Sequence, residues 1–183
     1  MNKKSNLTYK LVLSGLLIAI ATIFGTFSIP ILGARISPVQ HFINVVSAIT
    51  LGPAFAVINA FCASFLRNIF GTGSLLAFPG SMIGAFLAGI LYKKFKSPLL
   101  SVIGEVVGTG IIGALVAYPI ASLFLGKEGA LFIYIVPFTL SSFAGAIMAY
   151  ILISVPSIKK ILHIDKEEKL KEKVINWKDD RHV

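Results

Sequence analysis

Ser37, Gln40, His41, Asn44 and Ser47 stand close together in a chain of 183 residues that is 56% hydrophobic. Their spacing, i, i+3, i+4, i+7 and i+10, is that of one face of an α-helix. Hydroxyl, amide and imidazole groups on one face can hydrogen-bond a small molecule, and Arg35 stands just before them. Ser37-Pro38 supplies a helix start, with serine as N-cap and proline at the first helical position, where its missing N–H costs nothing.

Other candidates are scattered along the chain. Glu105, in SVIGEVVGTG, is the only carboxylate within an apolar stretch. An intramembrane charge is costly and marks function by default. Counted from the start of its helix it lies near one end, with Asn59 of another helix at similar depth, so the two read as a polar lock or a ligand contact. Thr109 is one turn further along the same face. Arg67 and Asn68 precede IFGTGSLLAFPG, whose glycines suit a phosphate cradle, but the P-loop lysine is missing. The Gly71-Thr72-Gly73 segment therefore reads as a re-entrant loop or lid, with Leu75, Leu76 and Phe78 facing ligand or protein. Ser74 and Ser81 flank it. Tyr134, Pro137, Phe138, Ser141 and Gly145 share a face near the end of the apolar sequence. The set read as substrate-binding is Gln40, His41, Asn44, Arg67, Phe78, Ser81, Tyr134, Phe138 and Ser141. No catalytic set accompanies it: His163 and His182 stand in the tail, far from His41, and no metal-ligand cluster, acidic cluster or Walker motif is present. The chain reads as a binding protein without cofactor or metal, and Cys62 as a small packing residue.

The elements that position these residues follow from composition. With 14% charged residues and a mean hydropathy of +0.86, the chain is predicted to be an all-α membrane protein. Six apolar stretches, about 10 to 29, 38 to 51, 54 to 69, 79 to 93, 98 to 125 and 130 to 156, predict a six-helix bundle. Leu51-Gly52-Pro53 breaks the second from the third, and Pro79 opens the fourth. Small residues recur four apart in Gly80, Gly84 and Ala88, in Gly15 and Ala19, and in Ala21 and Gly25, spacings that let helices approach closely in lipid.

Charge sets the orientation, since cytoplasmic loops are enriched in lysine and arginine. With the N-terminus inside, Lys3, Lys4, Lys10, Lys93, Lys94, Lys96 and eight basic residues from Lys159 onward all fall on the cytoplasmic side. Arg35, Arg67 and Lys127 fall outside. Both termini are thus predicted to be cytoplasmic, in a multi-pass protein of the bacterial cytoplasmic membrane. The net charge of +9 is explained by topology and does not call for nucleic acid. Residues 1–158 form the membrane domain and 159–183 a charged tail, where Asp165 with Lys169 and Glu167 with Lys171 at i, i+4 predict a solvated helix.

RISPVQHFINVVSAITLGP and LRNIFGTGSLLAFPGSMIGAFLAGILY resemble the ThiW family, S components (substrate-binding subunits) of energy-coupling-factor (ECF) vitamin transporters. The resemblance covers roughly residues 8 to 158. It implies a six-helix S-component fold, capture of hydroxyethylthiazole, a thiamine precursor, from outside, and partnership with a transmembrane coupling (T) protein and two ATP-binding subunits. It also places Gly15 and Ala19 where many S components carry an Ala-xxx-Ala docking ridge. Stand-alone secondary transport and a membrane scaffold are the alternatives.

Overall fold

The computed structural model describes residues 3–31, 34–126 and 132–162. Its helices are α1 (Lys3–Phe24), α2 (Pro38–Thr50), α3 (Pro53–Ile69), α4 (Ala77–Phe95), α5 (Pro98–Val107), a π-helical segment (Gly108–Gly113), α6 (Ala114–Leu125), α7 (Ile135–Ser154) and the short α8 (Pro156–Ile161). Helical dihedrals continue through Gly108 and Ala114, so α5, the π segment and α6 form one long helix. Each apolar stretch read from the sequence is helical, but several ends move. The first helix stops at Phe24, α4 begins two residues ahead of Pro79, and α7 begins at Ile135.

One element departs from the all-helical expectation. Strands β1 (Ile29–Ile31) and β2 (Ala34–Ile36) pair antiparallel, with Ile29 opposite Ile36 and Ile31 opposite Ala34. Pro30 cannot continue α1, and β-branched neighbours favour an extended chain. In a two-stranded ribbon a proline has an open edge on which to lose its N–H.

Large apolar side chains crowd the surface, and several polar ones lie inside. Val12, Phe27, Leu123 and Phe124 are more than two-thirds exposed, while Gln40, Asn44, Asn59, Arg67 and Glu105 are buried. That inversion suits a lipid solvent, where apolar side chains gain nothing by leaving the surface and polar ones must find partners inside. Three helical stretches, Leu7–Phe24, Pro98–Phe124 and Ile135–Ser154, are long and apolar enough to cross a bilayer, and Pro53–Ile69 is a shorter apolar helix.

Close helix contacts rest on small residues. A Cβ at Gly113 would lie 2.6 Å from Gly80 Cα, one at Gly108 2.8 Å from Gly84 Cα, and one at Gly104 2.9 Å from the Ala88 nitrogen. The Gly80-Gly84-Ala88 ridge of α4 thus meets the α5 and π-segment backbone directly. Gly52 (φ +88) turns the chain between α2 and α3, so these are two helices.

The position of α2 matters most for the site. Its 13 residues reach only about 20 Å at 1.5 Å per residue. A Cβ at Gly145 would lie 2.1 Å from the Pro38 carbonyl oxygen. Gly145 is ten residues into α7, about 15 Å along it, so α2 starts deep inside the bundle and leaves space beyond its first turn. The opposite end carries the lysines: Lys10 Nζ lies 5.5 Å from the Phe55 ring at the start of α3, and Lys96 Nζ 5.5 Å from Tyr92 at the end of α4.

Candidate functional site

The space beyond α2 is a cavity of about 480 Å³, within the range that holds small molecules. Ser37, Gln40 and His41 line it at the head of α2, Arg67 and Asn68 at the end of α3, and Gly71 to Leu76 across its mouth. Ala77, Gly80 and Ser81 come from α4, Thr109 from the π segment, and Phe138 and Ser141 from α7.

Two of its lining groups, His41 and Thr109, meet with Asn44 at one buried carboxylate. Glu105 has no exposed surface. Its Oε1 lies 2.8 Å from His41 Nδ1 and accepts from Asn44 Nδ2 at 2.9 Å and Thr109 Oγ1 at 3.2 Å. Asn44 Nδ2 also reaches the Ser81 carbonyl oxygen at 3.1 Å, and Thr109 Oγ1 the Gly80 carbonyl oxygen at 3.0 Å. The π segment contributes to this convergence: helices widen there, and such turns recur at functional sites. A Cβ at Gly84 would come within 2.1 Å of Thr109 Oγ1 and 2.9 Å of the Glu105 carboxyl, so the network occupies the room glycine leaves.

A second chain of bonds forms the wall. Arg67 Nη1 donates to Gln40 Oε1, and Gln40 Nε2 donates to Ser64 Oγ at 2.8 Å. Ser81 Oγ donates to the Ala77 carbonyl oxygen, so Ser64 Oγ is the donor in its 3.1 Å contact with Ser81 Oγ. Ser37 differs from its expected role. Pro38 is the first helical residue, but the Ser37 hydroxyl donates to the Gly25 carbonyl oxygen at 3.3 Å, and its N–H donates to Ser141 Oγ at 2.9 Å. It ties α2 to α1 and α7 instead of capping α2.

The mouth segment is anchored by backbone geometry. Gly71 (φ +69) donates to the Asn68 carbonyl, and Thr72 to that of Arg67 at 2.9 Å, the two bonds of a glycine-terminated helix end. Gly73 also donates to the Arg67 carbonyl at 2.8 Å, and Asn68 Nδ2 to the Ser74 carbonyl at 3.2 Å. The glycines close α3 and carry the chain over the cavity.

Of the residues read as substrate-binding, Gln40, His41, Arg67, Ser81, Phe138 and Ser141 line the cavity. Asn44 lies behind its floor, bonded to Glu105. Tyr134 packs behind Phe138, ring centroids 6.1 Å apart, and Phe78 turns toward Phe61 at 5.6 Å. Neither of those two rings lines the cavity. Asn59 does not join Glu105, since its Nδ2 donates to Ser47 Oγ at 3.1 Å. Gly15 and Ala19 are exposed, and a Cβ at Gly15 would meet nothing within 4 Å. Ala77 and Gly80 line the cavity although sequence reasoning did not place them there. The pairing of His41 with Glu105 was also missed, and its signal was that they are the only histidine and carboxylate in the apolar stretches. The charged tail beyond 162, with its i, i+4 pairs, lies outside the described residues.

An apolar-surfaced helical bundle enclosing a cavity with a polar floor is the architecture of a membrane protein that takes a small-molecule substrate. A model of the thiamine-precursor transporter protein (ThiW) family matches residues 11–158. The chain belongs to that family. Comparison with curated proteins and with solved structures gave no match.

Proposed function

We propose that this chain is the substrate-binding S component of an ECF-type importer, which captures hydroxyethylthiazole or a related thiazole in the cavity above His41. The observation that carries the reading is the cavity itself: a site walled by Phe138, with imidazole, amide, guanidinium and hydroxyl groups around it, in a thiamine-precursor transporter family member. A thiazole with a hydroxyethyl arm needs an aromatic contact and a few oriented polar partners.

On this reading six helical segments make the membrane domain, residues 1–158, with both termini in the cytoplasm. The gathering of Lys10, Lys94 and Lys96 at the end remote from the cavity supports that orientation, and the mouth then faces outward. The exposed Gly15 and Ala19 offer a flat strip on α1 for a T protein, which passes on the work of two ATP-binding subunits. The buried His41–Glu105 pair favours one rival, a proton-coupled carrier acting alone.

Uptake of labelled hydroxyethylthiazole into cells tests the proposal. Accumulation should require co-expression of a T protein and both ATPases, and should stop when the ATPases are inactivated. Accumulation by the chain alone, abolished by a proton uncoupler, would establish the solo carrier instead.

A further inference from the structure

The proton inventory at the floor of the cavity specifies what the ligand must offer. Oε1 of Glu105 and Nδ1 of His41 share one hydrogen across 2.8 Å, and Asn44 donates to the same oxygen. That fixes one face of the imidazole. The other nitrogen, Nε2, has no protein partner among the described residues, and His41 lines the cavity. Whether Nε2 carries a hydrogen depends on the charge of the pair. Glu105 is fully buried, and Oε2 has no hydrogen-bond partner among the described residues. A proton on Oε2 would be a buried donor with nothing to receive it, and an ionised carboxylate beside a neutral ring would be a buried charge with no counter-ion in contact. A pair without net charge, its one hydrogen held between Oε1 and Nδ1, avoids both, and in it Nε2 carries a hydrogen whichever of the two atoms holds the shared one. Among the described residues, the helices packed on this pair bring one other charged or titratable side chain to the cavity lining, Arg67 of α3, which is bonded to Gln40. From α4 and the π segment come Gly80, Gly84, Ser81 and Thr109, and from α7 Phe138 and Ser141.

We propose that His41 presents Nε2–H to the cavity as a fixed donor, that Glu105 is the positioning residue keeping the hydrogen there, and that the ligand supplies an acceptor such as an aromatic ring nitrogen or a hydroxyl oxygen. This rests on the cavity as ligand site but not on the identity of the vitamin precursor. A ligand whose only polar groups are donors is rejected, because two donors would then face one another.

The state of His41 is read by nitrogen-15 NMR of histidine-labelled protein without a polyhistidine tag, before any ligand is added. His163→Gln with His182→Gln removes the other two histidines, leaving His41 as the one signal. In the parent, Nε2 should carry a hydrogen. In Glu105→Gln the amide oxygen, held by Asn44, accepts Nδ1–H and has no hydrogen to share, so Nε2 should lose its hydrogen and hydroxyethylthiazole should bind roughly tenfold more weakly, the loss expected for one polar contact. A bare Nε2 in the parent, or ring signals unmoved by Glu105→Gln, overturns the proposal. If both ring results hold and hydroxyethylthiazole does not bind the parent, the thiazole assignment fails while the donor at His41 stands.

Discussion

The two halves of this bundle are held together differently. Toward the lysine-bearing end, Leu17, Val45, Ile49, Val102 and Ile153 make a dry core, closed by backbone contacts such as Gly89 against Pro53. Toward the cavity, cohesion passes through side-chain hydrogen bonds linking α2, α3, α4, α5, the π segment and α7. Lipid gives no hydrophobic reward for joining helices, so tight small-residue packing and internal hydrogen bonds are the two means available. The groove beside the dry half, along Val102, Ile103, Val106 and Ile147, presents apolar surface. The polar half buries hydrogen-bonding groups at a cost, satisfies most of them, and leaves some of their capacity facing the cavity.

Substitutions along that divide separate the two modes. Gly84 serves both, since it packs on Gly108 and leaves room for Thr109 and Glu105. Gly84→Leu should therefore have the largest effect, loss of folded protein, seen as aggregation during gel filtration in detergent. A monodisperse variant would show that the α4 contact yields easily.

Glu105→Ala comes next. It strands the His41 ring, Asn44 and Thr109 without their shared acceptor, and breaking a buried, hydrogen-bonded pair costs about 3–5 kcal/mol. Asn59→Ala removes one bond to Ser47, away from the cavity, and should cost about 1 kcal/mol. Thermal unfolding of the two variants side by side measures the contrast, and equal losses would dissolve the distinction between a network and an isolated bond.

Gly15→Leu with Ala19→Leu should disturb the fold least. Both sites are exposed and a Cβ at Gly15 meets nothing, so stability should move by no more than about 0.5 kcal/mol. Ligand binding should be unchanged and ATP-dependent uptake lost, because leucines would hold a T protein away from α1. Loss of folding would put this strip inside the bundle, and normal uptake would put the docking surface elsewhere.

Much of this was legible in the sequence because periodicity is a local property. Ser37, Gln40, His41, Asn44 and Ser47 do share one buried face, and the Gly80-Gly84-Ala88 ridge is a real contact surface. Depth was not legible. Counting residues from helix ends puts His41 near one end of the bundle and Glu105 near the other, yet α2 begins beside the middle of α7, which brings them to 2.8 Å. Nothing within α2 encodes that recess. Rotation at a helix start was equally hidden: α4 begins at Ala77, which presents Ala77 and Gly80 to the cavity while Phe78 turns to Phe61. The hairpin between α1 and α2 was overlooked because its isoleucines also suit an apolar helix.

The central claim, that the cavity above His41 is the ligand site, is tested most directly by calorimetric titration of the purified chain with hydroxyethylthiazole. Ala77 lines the cavity at the start of α4, so Ala77→Trp fills the space while leaving the Glu105 network and the Arg67–Gln40 wall in place. The parent should bind one molecule per chain, and Ala77→Trp should bind none at an unchanged unfolding temperature. Equal affinity in the two proteins would place the ligand somewhere other than this cavity.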